Sequence, residues 1–170
     1  VVGGSLGARA LNELVPQALA LIPAAQRPLV MHQSGAAQLD ALRASYAAAG
    51  VEATLTAFID DTASAFAEAD LIVCRAGAST VTEIAAVGAA ALFVPFPSAV
   101  DDHQTRNAEF LVQAGAGWLV PQRELSSQKL AEMLQNTERP ALLERALKAK
   151  NMQKIHATDA VVTACEELAA

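Results

Sequence analysis

Short apolar runs alternate with longer segments of 3.6-residue period along most of the chain, the pattern of β-α units laid around a parallel sheet. The apolar runs predict strands at Val1–Val2, Leu29–Gln33, Ala53–Ala57, Leu71–Cys74, Ala90–Val94 and Trp118–Val120. The periodic segments between them predict helices over Ala8–Leu21, Ala36–Ala49, Thr62–Ala67, Thr80–Val87 and His103–Ala114. After Pro121 the strand signal stops. Ser127–Leu134, Ala141–Met152 and Ala157–Leu168 read as helices, with Ser126 as an N-cap and Pro140 in a first helical turn. The expected fold is α/β, one doubly wound parallel sheet of about six strands, with ligands bound by the loops at the carboxyl ends of the strands.

Composition bears on how such a sheet is packed. Hydrophobic residues make up 53% of the chain but aromatics only 4%, so the core is built from Ala, Val, Leu and Ile, which suits helix-on-sheet contacts better than an aromatic-rich sandwich. At 170 residues a single domain with its own core is expected. The net charge of -6 argues against a surface that wraps nucleic acid and against a polybasic membrane patch. The longest apolar stretch, Ile84–Phe96, is broken by Gly88 and Pro95 and falls short of the ~20 residues of a spanning helix. No basic-then-apolar signal peptide opens the chain. Val1-Val2 runs straight into Gly3-Gly4 without an initiator Met, which reads as a fragment cut inside a strand. Cys74 and Cys165 lack metal-ligand spacing, and a reduced, cytosolic protein is the simpler expectation.

Two glycine-containing turns carry the first chemical signal. Gly3-Gly4-Ser5-Leu6-Gly7-Ala8 stands at a strand-to-helix turn, where main-chain N–H groups and the positive end of a helix can meet an anion. It is neither a P-loop, since no Gly-Lys-Ser/Thr follows, nor the dinucleotide fingerprint, since Ser5 occupies the second glycine's place. A tight turn with Ser5 capping the helix explains the same residues without a ligand. Arg75-Ala76-Gly77-Ala78-Ser79-Thr80 forms a second small-residue turn into a helix, and two such anion sites on one sheet suit a diphosphate or another phosphate-bearing ligand. Glu83 has two readings: the end of a Thr80-x-x-Glu83 capping box, which spacing alone favours, or a carboxylate that accepts hydrogen bonds from both hydroxyls of a ribose.

His103, Gln104 and Asn107 can share one helix face, a set of donors and acceptors suited to neutral sugar hydroxyls, while Asp101-Asp102 explains an ordinary helix start. Asp60-Asp61 and Asp101-Asp102 are adjacent pairs whose side chains diverge, so no metal site is expected. His32 and His156 are expected on a strand end and a helix surface, without ligand partners.

Taken in order, Gly3-Gly4-Ser5-x-Gly7-Ala8-Arg9, Phe58-Ile59-Asp60-Asp61, Arg75-x-Gly77-Ala78-x-Thr80-Val81-x-Glu83, and Pro95-Phe96 followed by His103-Gln104 and Asn107-Ala108 resemble the successive signatures of the MurG family of glycosyltransferases over nearly the whole chain. That resemblance implies a Rossmann-like C-terminal half of a B-type two-domain enzyme. Its donor would be UDP-N-acetylglucosamine, its acceptor lipid I held on an absent N-terminal domain, and its place the cytoplasmic face of the bacterial inner membrane in peptidoglycan synthesis. It also implies no cofactor and no convincing catalytic base in this segment. By the same similarity Ser5 would contact the diphosphate and Ile59 would present main-chain groups to uracil. Ala78, Ser79, Thr80, Val81 and Thr82 would surround the nucleotide, Glu83 would take the ribose hydroxyls, and Gln104 would bond the sugar. Gly4, Gly7, Phe58, Arg75, Gly77, His103 and Asn107 are secondary candidates. Leu6 stands where many relatives are polar, and the stretch from Pro97 to Val100 varies in length among them, which loosens the match at His103 and Gln104. Another UDP-sugar transferase, a UDP-N-acetylglucosamine epimerase, or a non-catalytic binding subunit with a partner chain remain alternatives.

Overall fold

The computed structural model describes residues 1–4, 8–97 and 102–169. Strands β1 (Met31–Gln33), β2 (Thr54–Thr56), β3 (Ile72–Cys74), β4 (Ala91–Phe93) and β5 (Gly117–Leu119) are all parallel, β1 paired with β2 and β4 lying between β3 and β5. Val2 joins the two groups: it bridges Gln33 on one side and Cys74 on the other. The Val2 N–H donates to the Val73 carbonyl at 2.9 Å, and the Gln33 N–H to the Val1 carbonyl at 3.0 Å. The sheet therefore runs β2-β1-Val2-β3-β4-β5. This is the doubly wound order, in which growth reverses direction between the first strand, here Val2, and β3. The expected six strand positions are all present, the first five shorter than predicted and the last shifted at equal length from Trp118–Val120 to Gly117–Leu119.

Helices cover both faces. One core cluster takes residues from α1 (Arg9–Ala20), α2 (Leu39–Ala49) and α6 (Ser127–Asn136), and the other from α3 (Thr62–Glu68), α4 (Ala78–Val87), α5 (His103–Val112) and α7 (Arg139–Asn151). The period of two in the central strands assigns side chains to these clusters. Val73 and Leu92 pack with Leu11, Leu19 and Leu42, while Ile72, Cys74, Ala91 and Phe93 pack with Phe66, Ile84 and Leu111. Every residue of β3 and β4 is buried, as expected of parallel strands sandwiched between helices. Burial pushes the Cys74 thiol up to about 12, so it behaves as a small apolar side chain. Cys165 is exposed.

Local signals set the helix ends. The Ser126 hydroxyl accepts from the Lys129 N–H at 3.1 Å, capping α6, and Pro140 sits in the first turn of α7, where its missing N–H has no intrahelical partner to lose. The last helix, α8 (Ala157–Ala169), is exposed along its whole length. His156 stands in the turn before α8 rather than on a helix surface.

His32 also differs from expectation. It is fully buried on β1 and belongs to a polar chain. The Asn12 amide nitrogen donates to Gln38 Oε1 at 2.9 Å, which leaves Asn12 Oδ1 to accept from His32 Nε2–H at 3.0 Å. His32 Nδ1 then accepts from the Tyr46 hydroxyl, also at 3.0 Å. A neutral imidazole satisfies this chain, and burial pushes its pKa down to about 3 from 6.5. Between those values the unfolded chain binds a proton that the folded chain refuses, so stability is complete above pH 6.5 and falls as the pH drops toward 3. Chemical denaturation from pH 7 to 4 is expected to show a loss approaching about 1.4 kcal/mol per pH unit from this group. His32→Gln removes that part of the slope; a variant as steep as the parent would assign the slope to other groups.

Candidate functional site

The reversal between Val2 and β3 brings the two small-residue turns together. Gly3-Gly4 leaves Val2 and Arg75-Ala76-Gly77 leaves β3, and since Val2 pairs with Cys74 the turns begin about 5 Å apart, one strand spacing, on the same sheet edge. The helices that follow, α1 and α4, pack on opposite faces, the arrangement that places a ligand crevice at the strand reversal of a doubly wound sheet. Gly4 has φ +80°, and a Cβ there would meet nothing within 4 Å. Glycine is required at this position by backbone conformation rather than by crowding. Ser5, Leu6 and Gly7 lie outside the described residues.

Among the described residues neither helix start holds an internal anion. The N-cap positions are Ala8 for α1 and Gly77 for α4, neither with a side-chain capping bond, and neither first turn contains an acidic residue. In α4 the first main-chain bond is from the Val81 N–H to the Gly77 carbonyl at 3.0 Å. The N–H groups of Ala78, Ser79 and Thr80 thus have no intrahelical partner and carry the positive end of the helix dipole.

The helix start corrects one expectation. A capping box needs its glutamate at the third helical position, but α4 begins at Ala78 rather than Thr80, so Thr80 holds that position and Glu83 lies one turn further on. The box cannot form, and Glu83 is exposed. It shares a helix face with Ser79 and Thr80 at i+4 and i+3, while Val81, Ile84 and Ala85 are buried in the core. The Thr82 hydroxyl donates to the Ala78 carbonyl at 2.9 Å.

Neutral amides and one cation hold the second turn. Gln104 Oε1 accepts from the Phe96 N–H at 2.9 Å and the Ala76 N–H at 3.3 Å, and the Asn107 amide donates to the Ala76 carbonyl at 3.0 Å. Three residues apart on α5, the two side chains grip both polar groups of fully buried Ala76. With Oε1 committed, the group Gln104 offers a ligand is its N–H donor. Arg75 donates to the Val94 and Pro95 carbonyls at 2.9 and 3.1 Å and to Gln122 Oε1 at 2.6 Å, with Phe96 5.5 Å from its charge centre. It ties the end of β3 to the end of β4, and burial lowers its pKa below the ordinary arginine value. His103 is exposed beside Gln104 at the start of α5. The N-cap of α5, Asp102, adopts the left-handed conformation (φ 51°) and accepts from the Thr105 hydroxyl at 2.7 Å; Asp101 and residues 98–100 lie outside the described residues.

A third loop follows β2. Its bend is held by the Thr56 hydroxyl donating to the Phe58 carbonyl at 2.6 Å, with Phe58 exposed and Ile59 half-buried. Asp61 caps α3, accepting from the Ser64 hydroxyl at 2.6 Å and N–H at 2.9 Å, which hold its carboxyl below the usual range. Among the described residues no three His, Cys, Asp or Glu side chains gather to hold a metal ion. Gln33 joins this loop to the first turn, its amide nitrogen donating to the Gly4 carbonyl at 3.1 Å and the Ala57 carbonyl at 2.9 Å. Sequence reasoning passed over Gln33 and Asn12. The available signal was the polar run His32-Gln33-Ser34 closing an apolar strand.

The family model for the glycosyltransferase family 28 C-terminal domain matches residues 1–163. Over 170 residues the chain is 81% identical to the UDP-N-acetylglucosamine--N-acetylmuramyl-(pentapeptide) pyrophosphoryl-undecaprenol N-acetylglucosamine transferase of Paracidovorax citrulli, covering 100% of this chain and 48% of that protein. The enzyme of the same name from Verminephrobacter eiseniae is 76% identical, with 100% and 47% covered. The chain thus spans about half the length of the curated relatives it matches. Among solved structures, Acinetobacter baumannii MurG superposes with a TM-score of 0.89 at 45% identity, covering 98% of this chain and 50% of that one. The glycosyltransferase VinC, at 19% identity and a TM-score of 0.61, covers 84% of this chain and 33% of its own and shares the fold.

The clamp on Ala76 has a measurable consequence. Asn107→Leu leaves the buried Ala76 carbonyl without its donor and is expected to lower unfolding stability by about 1–3 kcal/mol in urea titrations. A loss within about 0.5 kcal/mol, the range of an ordinary surface substitution, would mean that Asn107 does not hold the turn.

Proposed function

The chain belongs to the glycosyltransferase family 28 C-terminal domain family, and from that membership we propose that it is the donor-binding half of an enzyme that transfers N-acetylglucosamine from UDP to a lipid-linked N-acetylmuramyl acceptor, converting lipid I to lipid II. The observation that carries the reading is the pairing of Val2 with Cys74, which sets two uncapped helix starts side by side at the strand reversal. Such a crevice binds phosphate through N–H groups fixed before the ligand arrives. The sheet order supports a layout along one edge: uracil at Ile59 after β2, diphosphate between the Gly3-Gly4 turn and Ala78–Thr80, and sugar toward Gln104 beyond β4. Glu83, exposed and on the face of Ser79 and Thr80, is the group for the ribose hydroxyls.

In the proposed reaction the acceptor hydroxyl forms a bond to the anomeric carbon from the side opposite UDP. The bond from that carbon to the β-phosphate oxygen breaks, and UDP leaves with the electron pair. This half orients the donor and stabilises the charge that grows on the β-phosphate. Acceptor binding and the base that takes the hydroxyl proton belong, in this reading, to the other half, so the chain alone binds donor and transfers nothing. The relatives' acceptor carries an undecaprenyl lipid by name, and the whole protein is proposed to work at the cytoplasmic face of the bacterial inner membrane. Among the described residues no helix is long and apolar enough to cross a membrane.

Calorimetry tests the site. The parent chain is expected to bind UDP and to prefer UDP-N-acetylglucosamine over UDP-glucose; absence of UDP binding would overturn the proposal. Glu83→Gln should weaken UDP by about 1–3 kcal/mol, the worth of hydrogen bonds to a charged group, without moving the melting temperature, because Glu83 caps nothing. Affinity for 2′,3′-dideoxy-UDP should stay level between the two proteins. An equal loss for both nucleotides would remove Glu83 from the ribose.

A further inference from the structure

Gln33 is 4% exposed, yet its side chain reaches two loops of the crevice. Its amide nitrogen donates to the Gly4 and Ala57 carbonyls, which fixes the orientation of the amide, because the flipped form would set an oxygen against two carbonyl oxygens. The buried Oε1 has no hydrogen-bond partner among the described residues. An apolar side chain of similar volume would fill the same space without an orphaned acceptor, so packing alone does not account for an amide here. What the amide alone supplies is the link between the Gly3-Gly4 turn and the loop after β2.

The two loops depend on that link unequally. The Ala57 carbonyl also accepts from the Gly35 N–H at 3.1 Å, and the Ser34 N–H holds the Thr56 carbonyl at 3.1 Å. The loop after β2 therefore keeps its place without Gln33. The Gly4 carbonyl, in a turn that is left-handed and exposed, has Gln33 as its one donor among the described residues. We infer that Gln33 is a positioning residue for a nucleoside diphosphate, setting the spacing between the loop after β2 and the Gly3-Gly4 turn by holding the Gly4 and Ala57 carbonyls on one amide. The inference rests on the proposed nucleotide site and adds to it a determinant that touches no ligand.

Gln33→Met separates positioning from packing. The melting temperature is expected to hold or rise, since the orphaned acceptor is gone. UDP affinity should fall roughly tenfold or more as the turn loses its preset geometry, while uridine affinity, read by NMR titration, stays within about twofold. Gln33→Asn, which keeps the amide but is a methylene too short to span both carbonyls, should show the same selective loss and covers the case in which the Met variant fails to fold. If uridine and UDP weaken by the same factor, or if affinity falls only in step with melting temperature, the inference is overturned. Failure of the parent chain to bind UDP would instead take down the functional reading, and this one with it.

Discussion

Everything in the crevice hangs on Val2 being paired on both sides. One residue of strand, hydrogen-bonded toward β1 and toward β3, joins a two-stranded and a three-stranded piece into one sheet. Chain growth reverses at that seam, and there the neighbouring turns lead into α1 and α4 on opposite faces. Because Val2 is the first strand of the order, its turn carries the glycines. Because β3 is the fourth, its turn carries the second run of small residues. The proximity of two anion-seeking helix starts is thus a product of topology, made by residues 72 positions apart in sequence.

Helix N-termini attract anions in any protein, and what distinguishes these two is how they are held. Gln33 governs the first turn, Gln104 and Asn107 the second, and all three are neutral amides that satisfy main-chain groups without introducing a competing charge. Arg75, at the second turn, donates to two carbonyls and Gln122, so it braces the ends of β3 and β4. Below the first turn, Asn12 and His32 pin the start of α1 to β1 through the buried chain from Tyr46 to Gln38. Fixing donors before the ligand binds makes helix dipoles useful for stabilising growing negative charge, because no reorganisation remains to be done. His32 and Gln33, adjacent on one strand and pointing to opposite faces, do this for the helix and for the turn.

The half-length match to the curated relatives fits the chemistry that the chain carries. Its polar groups at the sheet edge, Glu83, Gln104 and Asn107 among them, suit the nucleotide and sugar of the proposed donor. In the proposed function one half presents the donor and the other the acceptor.

Periodicity in the sequence determined the α/β class, the six strand positions and the helices between them, because burial between sheet and helices imposes its period directly on side-chain polarity. The motifs also marked Gly77, Ser79, Thr80, Glu83, Gln104 and Asn107 as site candidates. Only the tertiary structure decided what several of these do. Thr80-x-x-Glu83 reads as a capping box until α4 is seen to begin at Ala78, because a helix start is set by where the preceding turn is held, here by Gln104 and Asn107 from another helix. Arg75, a secondary candidate by its motif, is seen to brace the ends of β3 and β4 only once its partners Val94, Pro95 and Gln122 are in place. His32 and Gln33 were not legible as functional at all, since a buried polar side chain takes its meaning from groups that the fold brings to it from distant parts of the chain.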